Sequence, residues 1–326
     1  MSKTIAIVGA GQIGFAAAGA FLDAGWNVRV LARSEPEWTA GDGAFERYIA
    51  GEDAAPAADV VLDTIAYDAE DIARYDPAAI GRLIVVSSAS VYCDAKGRTL
   101  DEGLANGYPQ FDGPITEDQT TVAPGPATYS TRKIRMEEAA RVRFGERATI
   151  LRPCAVYGPH SRHPRELWFV KRIMDGRKQI PLADAGDSQF QTSSARVIAR
   201  TALAAATQDK GGVFNVADCD SPTVREIGET IAKSLASDVT MIPLREAGMI
   251  GRTPWSVPEP FVVDARQAQL LRADGETYDY AEQVGPAALW LTERDLANWR
   301  AAFPQLAEYP WDLFDYDAED RFFESL

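Results

Sequence analysis

The chain has 326 residues, a net charge of −15 and an apolar fraction of 46%, so it can fold as one large domain or as two. A surface this acidic repels nucleic acid and anionic membranes, and we expect neither as a partner. The start of the sequence lacks a secretion signal and no apolar run is long enough to span a bilayer, which favours a cytoplasmic protein. Three scattered cysteines predict neither a disulfide framework nor a zinc site.

The beginning of the chain predicts a dinucleotide-binding site. A β-rich apolar run over residues 3–8 stops at a Gly-x-Gly-x-x-Gly turn, and residues 15–26 have the pattern of a helix that ends near Gly25. The first glycine of such a turn allows the bend, the second lets backbone approach a pyrophosphate, and the third lets helix and strand pack closely. Backbone N–H groups at the start of the helix favour phosphate. The residues expected to bind the cofactor here are Gly9, Gly11, Gln12, Ile13 and Gly14.

The end of the second predicted strand, residues 27–31, indicates which dinucleotide binds. About twenty residues after the glycine turn, an acidic side chain would bind the 2′-hydroxyl of NAD. This chain has Ala32-Arg33-Ser34 instead, and a guanidinium and a hydroxyl suit a 2′-phosphate. Arg33 and Ser34 therefore favour NADP(H), with NAD(H) as the alternative. An ordinary surface arginine is the other interpretation of Arg33.

Further segments predict more strands of one sheet, over residues 45–49, 59–66, 82–86 and 148–152. The near-continuous β run 82–86 is typical of a parallel strand buried on both faces, and it ends in the serine-rich stretch 87–92. Ligands bind at the carboxyl ends of such strands, so the serines are functional candidates. Residues 93–111 have no clear periodicity and are interpreted as an inserted loop.

A helix over residues 129–138 places Tyr129 and Lys133 four residues apart, on one helix face. In the second half, helices are predicted over 166–175 and 197–206 and a strand over 212–216. Another helix follows Pro222, with Thr223 as N-cap and Glu226 at the capping-box position. Residues 252–261 carry three prolines and predict an extended loop. The aromatic, acidic tail 303–326 is expected to dock on the protein.

With the glycine turn, the serine cluster and Tyr-x-x-x-Lys in place, the sequence resembles the extended short-chain dehydrogenase/reductase family, also called the NAD-dependent epimerase/dehydratase family. The matching motifs lie at 9–14, 87–92, 114–118, 129–133 and 152–159. The resemblance implies an α/β fold with a Rossmann-type doubly wound parallel sheet and a smaller C-terminal α/β substrate domain. It places the NAD(P)-binding domain in residues 1–158, rejoined by about 195–218, and the substrate-binding region in 159–326. It also implies a homodimer through helices that include the one bearing Tyr129.

The resemblance further implies a catalytic triad of Ser88, Tyr129 and Lys133. A free tyrosine has a pKa of ~10, and a nearby ammonium favours the phenolate, so Lys133 can activate Tyr129 while it binds the nicotinamide ribose. Ser88 would hydrogen-bond the substrate oxygen, and Tyr129 would pass the proton as hydride moves at the nicotinamide. Tyr129 and Lys133 thereby contact the cofactor too, and we also expect contacts from Ala66 and Pro153.

Departures from the family pattern narrow the reaction. Sugar-nucleotide members have an asparagine where this chain has Ala155, and nucleotide-sugar dehydratases have Thr-Asp-Glu where it has Ser88-Ala89-Ser90. Without those carboxylates, elimination of water lacks its acid and base. The later Val-x-Asp signature of the family is replaced by the residues 193–196. These changes disfavour a dehydratase and weaken the case for an epimerase.

Two histidines and an arginine, His160, Arg162 and His163, follow the Gly-Pro corner, where substrate should lie. Two histidines without acidic partners do not predict a metal site. A guanidinium suits an anionic substrate, so we expect these three residues and Ser90 to contact substrate, with simple charge compensation as the alternative. The function predicted is an NADP-dependent oxidoreductase acting on a small carbonyl/alcohol pair. The alternatives are an NAD-dependent sugar or nucleotide-sugar epimerase and a catalytically idle nucleotide-sensing protein.

Overall fold

A computed structural model describes residues 2–38, 43–245, 248–273 and 275–325. No described helix is long and apolar enough to cross a membrane. The strands are β1 Thr4–Val8, β2 Asn27–Ala32, β3 Ala44–Arg47, β4 Ala58–Asp63, β5 Ile80–Val86, β6 Ala148–Pro153, β7 Ala155–Tyr157, β8 Gln179–Leu182, β9 Thr192–Ser194, β10 Gly212–Val216 and β11 Thr240–Pro243. The helices are α1 Gln12–Asp23, α2 Ala69–Ala73, α3 Gly103–Asn106, α4 Tyr129–Phe144, α5 Leu167–Met174, α6 Ala195–Thr207, α7 Val224–Ser234, α8 Arg266–Arg272, α9 Tyr280–Gln283, α10 Gly285–Thr292, α11 Trp299–Ala302 and α12 Tyr316–Glu324.

Seven strands form one parallel sheet in the order β10-β6-β5-β4-β1-β2-β3. The strand order reverses at β1, because the chain adds β2 and β3 on one side and β4, β5, β6 and β10 on the other. The register pairs Val8 with both Leu31 and Asp63, so three strands end together beside the glycine turn. Parallel sheets bind ligands at such a reversal. The doubly wound α/β sheet expected from the sequence is confirmed.

Both faces of the sheet are covered by helices, as its continuous apolar strands require. On one face α1 and α6 pack against the strands, with Phe21 and Val30 fully buried between them. On the other face α2 and α4 pack together, and Tyr75 and Met136 are fully buried. A third apolar cluster in the second half of the chain centres on buried Trp168 and its neighbours.

Helix α1 begins three residues earlier than the sequence pattern suggested. Gly11 is extended, with φ −80° and ψ −165°, so the helix starts directly after it and the whole first turn faces the strand ends. At the other end, Gly25 has φ +78°, and the N–H groups of Gly25 and Trp26 donate to the carbonyl oxygens of Leu22 and Phe21. This is the Schellman arrangement that a glycine after a helix commonly makes. Trp26 therefore lies outside the helix.

The second half agrees with several local predictions. Thr223 accepts a hydrogen bond from the Glu226 backbone, and its own N–H donates to the Glu226 carboxylate at 2.7 Å, which confirms the capping box of α7. The tail is docked through the Arg172 guanidinium, which donates to Glu319 and to the Leu313 carbonyl oxygen. The stretch 93–111 is mostly loop, as expected, but it includes the short helix α3.

Candidate active site

The glycine turn has the geometry that the sequence predicted. Gly9 has φ +106°, and a Cβ on it would lie 2.2 Å from Oγ1 of Thr64. A Cβ on Gly14 would lie 2.0 Å from the carbonyl oxygen of Gly9, so helix and strand approach more closely than any side chain allows. A Cβ on Gly11 would meet no atom within 4 Å. The first and third glycines are thus packed against protein, while the second faces open space.

That open space is a cavity of about 930 Å³ at the ends of β1, β2 and β4. Its walls include the glycine turn, Arg33, Ser34 and Tyr48, and no carboxylate side chain is among the described residues that line it. Two buried polar atoms here, the Tyr48 hydroxyl and Oε1 of Gln12, have no hydrogen-bond partner within the described residues. A cavity that opens at Gly11, with unpartnered polar atoms and Arg33 in its walls, fits a dinucleotide.

Two residues expected at the cofactor lie elsewhere. Ala66 is fully buried, and its carbonyl oxygen accepts a hydrogen bond from Lys133. Pro153 is the buried last residue of β6, where it pairs with Val216 of β10. Neither residue lines the 930 Å³ cavity. Ala66 lies beside Lys133 and Pro153 lies at the end of a central strand. A contact of these two residues with the nicotinamide end of the cofactor stays a prediction.

Ser88, Tyr129 and Lys133 come together at the end of β5 and the start of α4. The Ser88 hydroxyl lies close enough to the Tyr129 phenol to lower its pKa, and it donates to Oγ of Ser90 at 2.9 Å. The Lys133 ammonium lies 5.7 Å from the centre of the Tyr129 ring. Ser130 donates to the Ser90 carbonyl oxygen and fixes the first turn of α4 against the serine stretch.

The electrostatics at Tyr129 differ from the expected activation by lysine. Although 40% of the residue is exposed, burial of its hydroxyl raises the pKa of Tyr129 above the usual value, and the nearby Ser88 hydroxyl opposes this rise. The Lys133 ammonium instead donates to the carbonyl oxygens of Ala66 and Val86, at 2.7 and 3.0 Å. Burial lowers the pKa of Lys133 to about 8. At neutral pH, Tyr129 is a neutral phenol and can donate a proton.

A buried polar network holds these elements in place. One turn after Lys133, the Glu137 carboxylate accepts a 2.6 Å hydrogen bond from Ser87, at the end of β5. The same carboxylate pairs with Arg152 of β6 through bonds of 2.9 and 2.6 Å. The Arg152 guanidinium lies over the ring of Tyr92, 4.9 Å from its centre. This network ties α4 to the ends of two central strands, so it sets the position of Tyr129 relative to Ser88.

A second cavity, of about 620 Å³, adjoins the first. Both cavities are lined by Gln12, and Ser88, Ser90 and Tyr129 line the second one. Most of its other walls come from four segments that follow or interrupt the sheet, namely residues 100–108, 163–165, 253–261 and 305–311. Ser88 and Tyr129 therefore lie in the wall of a pocket that meets the dinucleotide cavity, whereas the buried Lys133 lines neither cavity. Two adjoining cavities are the arrangement that hydride transfer needs.

His160, Arg162 and His163, which follow the Gly-Pro corner, do not all line the same cavity. His163 lines the 620 Å³ pocket, whereas His160 and Arg162 line the 930 Å³ cavity. His160 has φ +64°, and its ring contacts Phe15 and Trp290, at 4.7 and 5.5 Å between ring centres. Burial lowers the pKa of both histidines, that of His163 to about 3. In the part of the chain that the structure describes, no cluster of three or more candidate ligands could hold a metal ion.

The sequence analysis did not assign two parts of this pocket to the site, namely Arg165 and the C-terminal tail. Arg165 lines the 620 Å³ pocket together with Tyr309 and Trp311. The sequence placed Arg165 near the corner residues, but spacing alone does not show which of them face the pocket. The tail lies more than 140 residues after β6, and only its aromatic content hinted that it docks.

Comparison with known proteins identifies a related family and proteins of the same fold. Residues 60–217 match the model of the NAD dependent epimerase/dehydratase family, which confirms the resemblance seen in the motifs. Among curated proteins, none matches the sequence.

Solved structures with the same fold include the UDP-N-acetylglucosamine 4-epimerase from Bacillus cereus, at 18% identity and a TM-score of 0.64, covering 90% of this chain and 100% of that one. The UDP-glucuronic acid 4-epimerase from Bacillus cereus, in complex with UDP-glucuronic acid and NAD, has 16% identity and a TM-score of 0.62, covering 89% and 99%. The NAD dependent NDP-hexosamine 5,6-dehydratase TunA has 19% identity and a TM-score of 0.64, covering 91% and 100%. At these identities the likeness is one of fold.

Proposed function

Since residues 60–217 carry the pattern of the NAD dependent epimerase/dehydratase family, we propose that this protein is an NADP(H)-dependent oxidoreductase. It would transfer hydride between the cofactor and a small carbonyl or alcohol compound. The cofactor, when bound, supplies the hydride donor or acceptor. The glycine turn, Arg33 and Ser34 would hold it, and Ser88, Tyr129 and Lys133 would act on the substrate.

The position of Ser88 and Tyr129 together in the wall of the 620 Å³ pocket, which shares Gln12 with the dinucleotide cavity, is the observation that carries this proposal. A substrate carbonyl oxygen placed between the two hydroxyls would accept hydrogen bonds from both. Because burial keeps Tyr129 protonated at neutral pH, its phenol would deliver the proton in the reductive direction. Lys133 would bind the nicotinamide ribose with the same ammonium that now holds the strand ends.

Two features support NADP(H) over NAD(H). The described walls of the 930 Å³ cavity carry no carboxylate to bind a ribose 2′-hydroxyl, although the chain as a whole has a net charge of −15. Arg33 and Ser34 lie in those walls at the end of β2. A guanidinium with a neighbouring hydroxyl matches a 2′-phosphate.

The test is NADPH consumption with a panel of aldehydes and ketones, compared between the wild-type protein and Y129F. Removal of the Tyr129 hydroxyl should lower turnover by about 100-fold or more, with NADPH affinity nearly unchanged. The matched control is Y67F, since the ring of Tyr67 lies 5.6 Å from that of Tyr129 but lines neither cavity. Unchanged turnover in Y129F would remove Tyr129 from the mechanism, and no turnover of any carbonyl would count against the reductase.

An epimerase is the second candidate, because the structural relatives described above include two 4-epimerases. In that reaction the same triad would oxidise a hydroxyl, and the hydride would return to the opposite face. No net cofactor is consumed, so steady NADPH oxidation would exclude it. Deuterium on the nicotinamide ring would appear in the product of a reductase in proportion to the cofactor consumed.

We further propose the homodimer that the family resemblance implies, with α4 at the interface. The exposed residues of α4 include Glu138, Arg141, Val142 and Arg143, so charged groups surround a single large apolar side chain, Val142, which is 88% exposed. Light scattering of the purified protein decides between monomer and dimer. Dissociation by V142E would assign the interface to this face.

A further inference from the structure

Arg165 lacks the counterion that four other arginines of this protein have. Arg74, Arg82, Arg152 and Arg172 each form an ion pair with a carboxylate at 2.5 to 2.7 Å. Among the described residues, Arg165 forms no ion pair, and its buried Nε has no hydrogen-bond partner. The residue is half-buried in the wall of the 620 Å³ pocket, so a cation without a counterion faces that pocket and can bind an anion there.

Aromatic side chains fix Arg165 in the wall of the 620 Å³ pocket. Its guanidinium lies 5.4 Å from the centre of the Phe190 ring. Arg165 also lowers the pKa of the Tyr309 hydroxyl against the rise that burial causes, and the Tyr309 ring stacks on His163 with 5.7 Å between ring centres. A guanidinium held against an aromatic ring loses little freedom when it binds a planar anion.

No described carboxylate forms an ion pair with Arg165. His163 is uncharged at neutral pH, because burial and Arg165 lower its pKa to about 3. The carboxyl group of the adjacent residue Glu166 is buried, which raises its pKa to about 7, so that it is only partly ionised at neutral pH. Glu166 does not line the pocket. Arg165 therefore keeps a positive charge that faces the pocket.

The remaining charges of the pocket limit the anion to a single negative charge. Asp101 and Glu308 also line it, so its described ionised groups sum to about one negative charge beside a single guanidinium. A diphosphate, with two negative charges, would be repelled by both carboxylates. The rest of the wall is rich in rings, including Tyr108, Phe261 and Trp311, which suit an apolar or planar body.

We propose that the substrate is a small carbonyl compound with one carboxylate, which Arg165 binds, and with an apolar body that lies against the rings of the pocket. This assignment rests on the proposed function, since it takes the carbonyl end to lie between Ser88 and Tyr129. Arg165 is then a specificity-determining residue that selects small carboxylates over nucleotide sugars.

The test measures binding, so that it does not depend on turnover. The protein is first titrated with NADP⁺, and failure at this step concerns the proposed function only. The saturated protein is then titrated calorimetrically with paired probes, a set of aryl and alkyl aldehydes that each exist as the free carboxylate and as its methyl ester, and with UDP. In the presence of the oxidised cofactor none of the aldehydes can be reduced.

At least one carboxylate should bind about tenfold or more tightly than its ester, since a charged hydrogen bond is lost in the ester. In R165Q the carboxylate should bind no more tightly than the ester. In R165K the affinity for the carboxylate should be intermediate, because an ammonium cannot donate two parallel hydrogen bonds as a guanidinium does. R321Q, which removes an exposed arginine of α12 that lines neither cavity, is the control for net charge. Equal binding of all pairs, no binding of any, or tighter binding of UDP by the wild-type protein would overturn the assignment, even if the variants fail to fold.

Discussion

The Lys133 ammonium donates a hydrogen bond of 2.7 Å to the carbonyl oxygen of Ala66, just beyond the end of β4. Because burial lowers the pKa of Lys133 to about 8, this charge is lost as the pH rises through that value. NADPH affinity should therefore be constant below about pH 7 and weaken above pH 8. Fluorescence titrations across this range measure it. K133M, uncharged at every pH, should bind weakly without an inflection near pH 8, and an inflection that persists in K133M would assign it to another group.

The glycine turn allows a matched pair of alanine variants. In G14A the new Cβ would meet the Gly9 carbonyl oxygen at 2.0 Å, so we expect a loss of several kcal/mol of stability together with loss of NADPH binding. In G11A the Cβ has free space within 4 Å and the backbone is extended, so the fold should be nearly as stable as wild type. The methyl group would still enter the dinucleotide cavity and weaken NADPH binding. Thermal unfolding and cofactor titration separate the two effects, and full binding by G11A would contradict this account of the turn.

The tail supplies one wall of the substrate pocket, and a buried ion pair anchors it. Arg172 and Glu319 are 2% and 3% exposed and are joined at 2.5 Å. E319Q leaves the Arg172 guanidinium buried without a counterion, so the free energy of unfolding should fall by about 3 to 5 kcal/mol. D320N breaks the neighbouring exposed pair with Arg177 and should leave the unfolding midpoint nearly unchanged. Equal midpoints for the two variants would show that the tail does not depend on this anchor.

Local patterns in the sequence predicted the sheet and the glycine turn well, because both depend on residues close together in the chain. The strand at 212–216 and the capping box at Thr223 are of this kind. The start of α1 was placed three residues too late, since the apolar pattern begins at Phe15 while the helix is set by the backbone at Gly11. Periodicity shows which residues face the core, but it does not show where a turn ends.

The substrate pocket could be predicted only in part. The serine stretch and Tyr129 follow from motifs, whereas the separation of His160 from Arg165 depends on the positive φ of His160 and on contacts with Phe15 and Trp290, which are distant in sequence. The electrostatics of Tyr129 differ from the expected activation by Lys133 for a similar reason. The spacing of Tyr129 and Lys133 places both on one helix face, but the strength of burial and the partners of the ammonium come from strands elsewhere in the chain.

The proposed function requires that the 930 Å³ cavity bind NADP(H) reversibly through Arg33. The most direct measurement is to release and identify the nucleotide that co-purifies with the protein, and then to titrate the emptied site with NADPH and NADH. We expect exchangeable binding that prefers NADPH, with R33A weakening NADPH by about tenfold or more and leaving NADH nearly unchanged. Tightly held NAD that resists exchange, with no effect of R33A, would contradict the account and favour the epimerase.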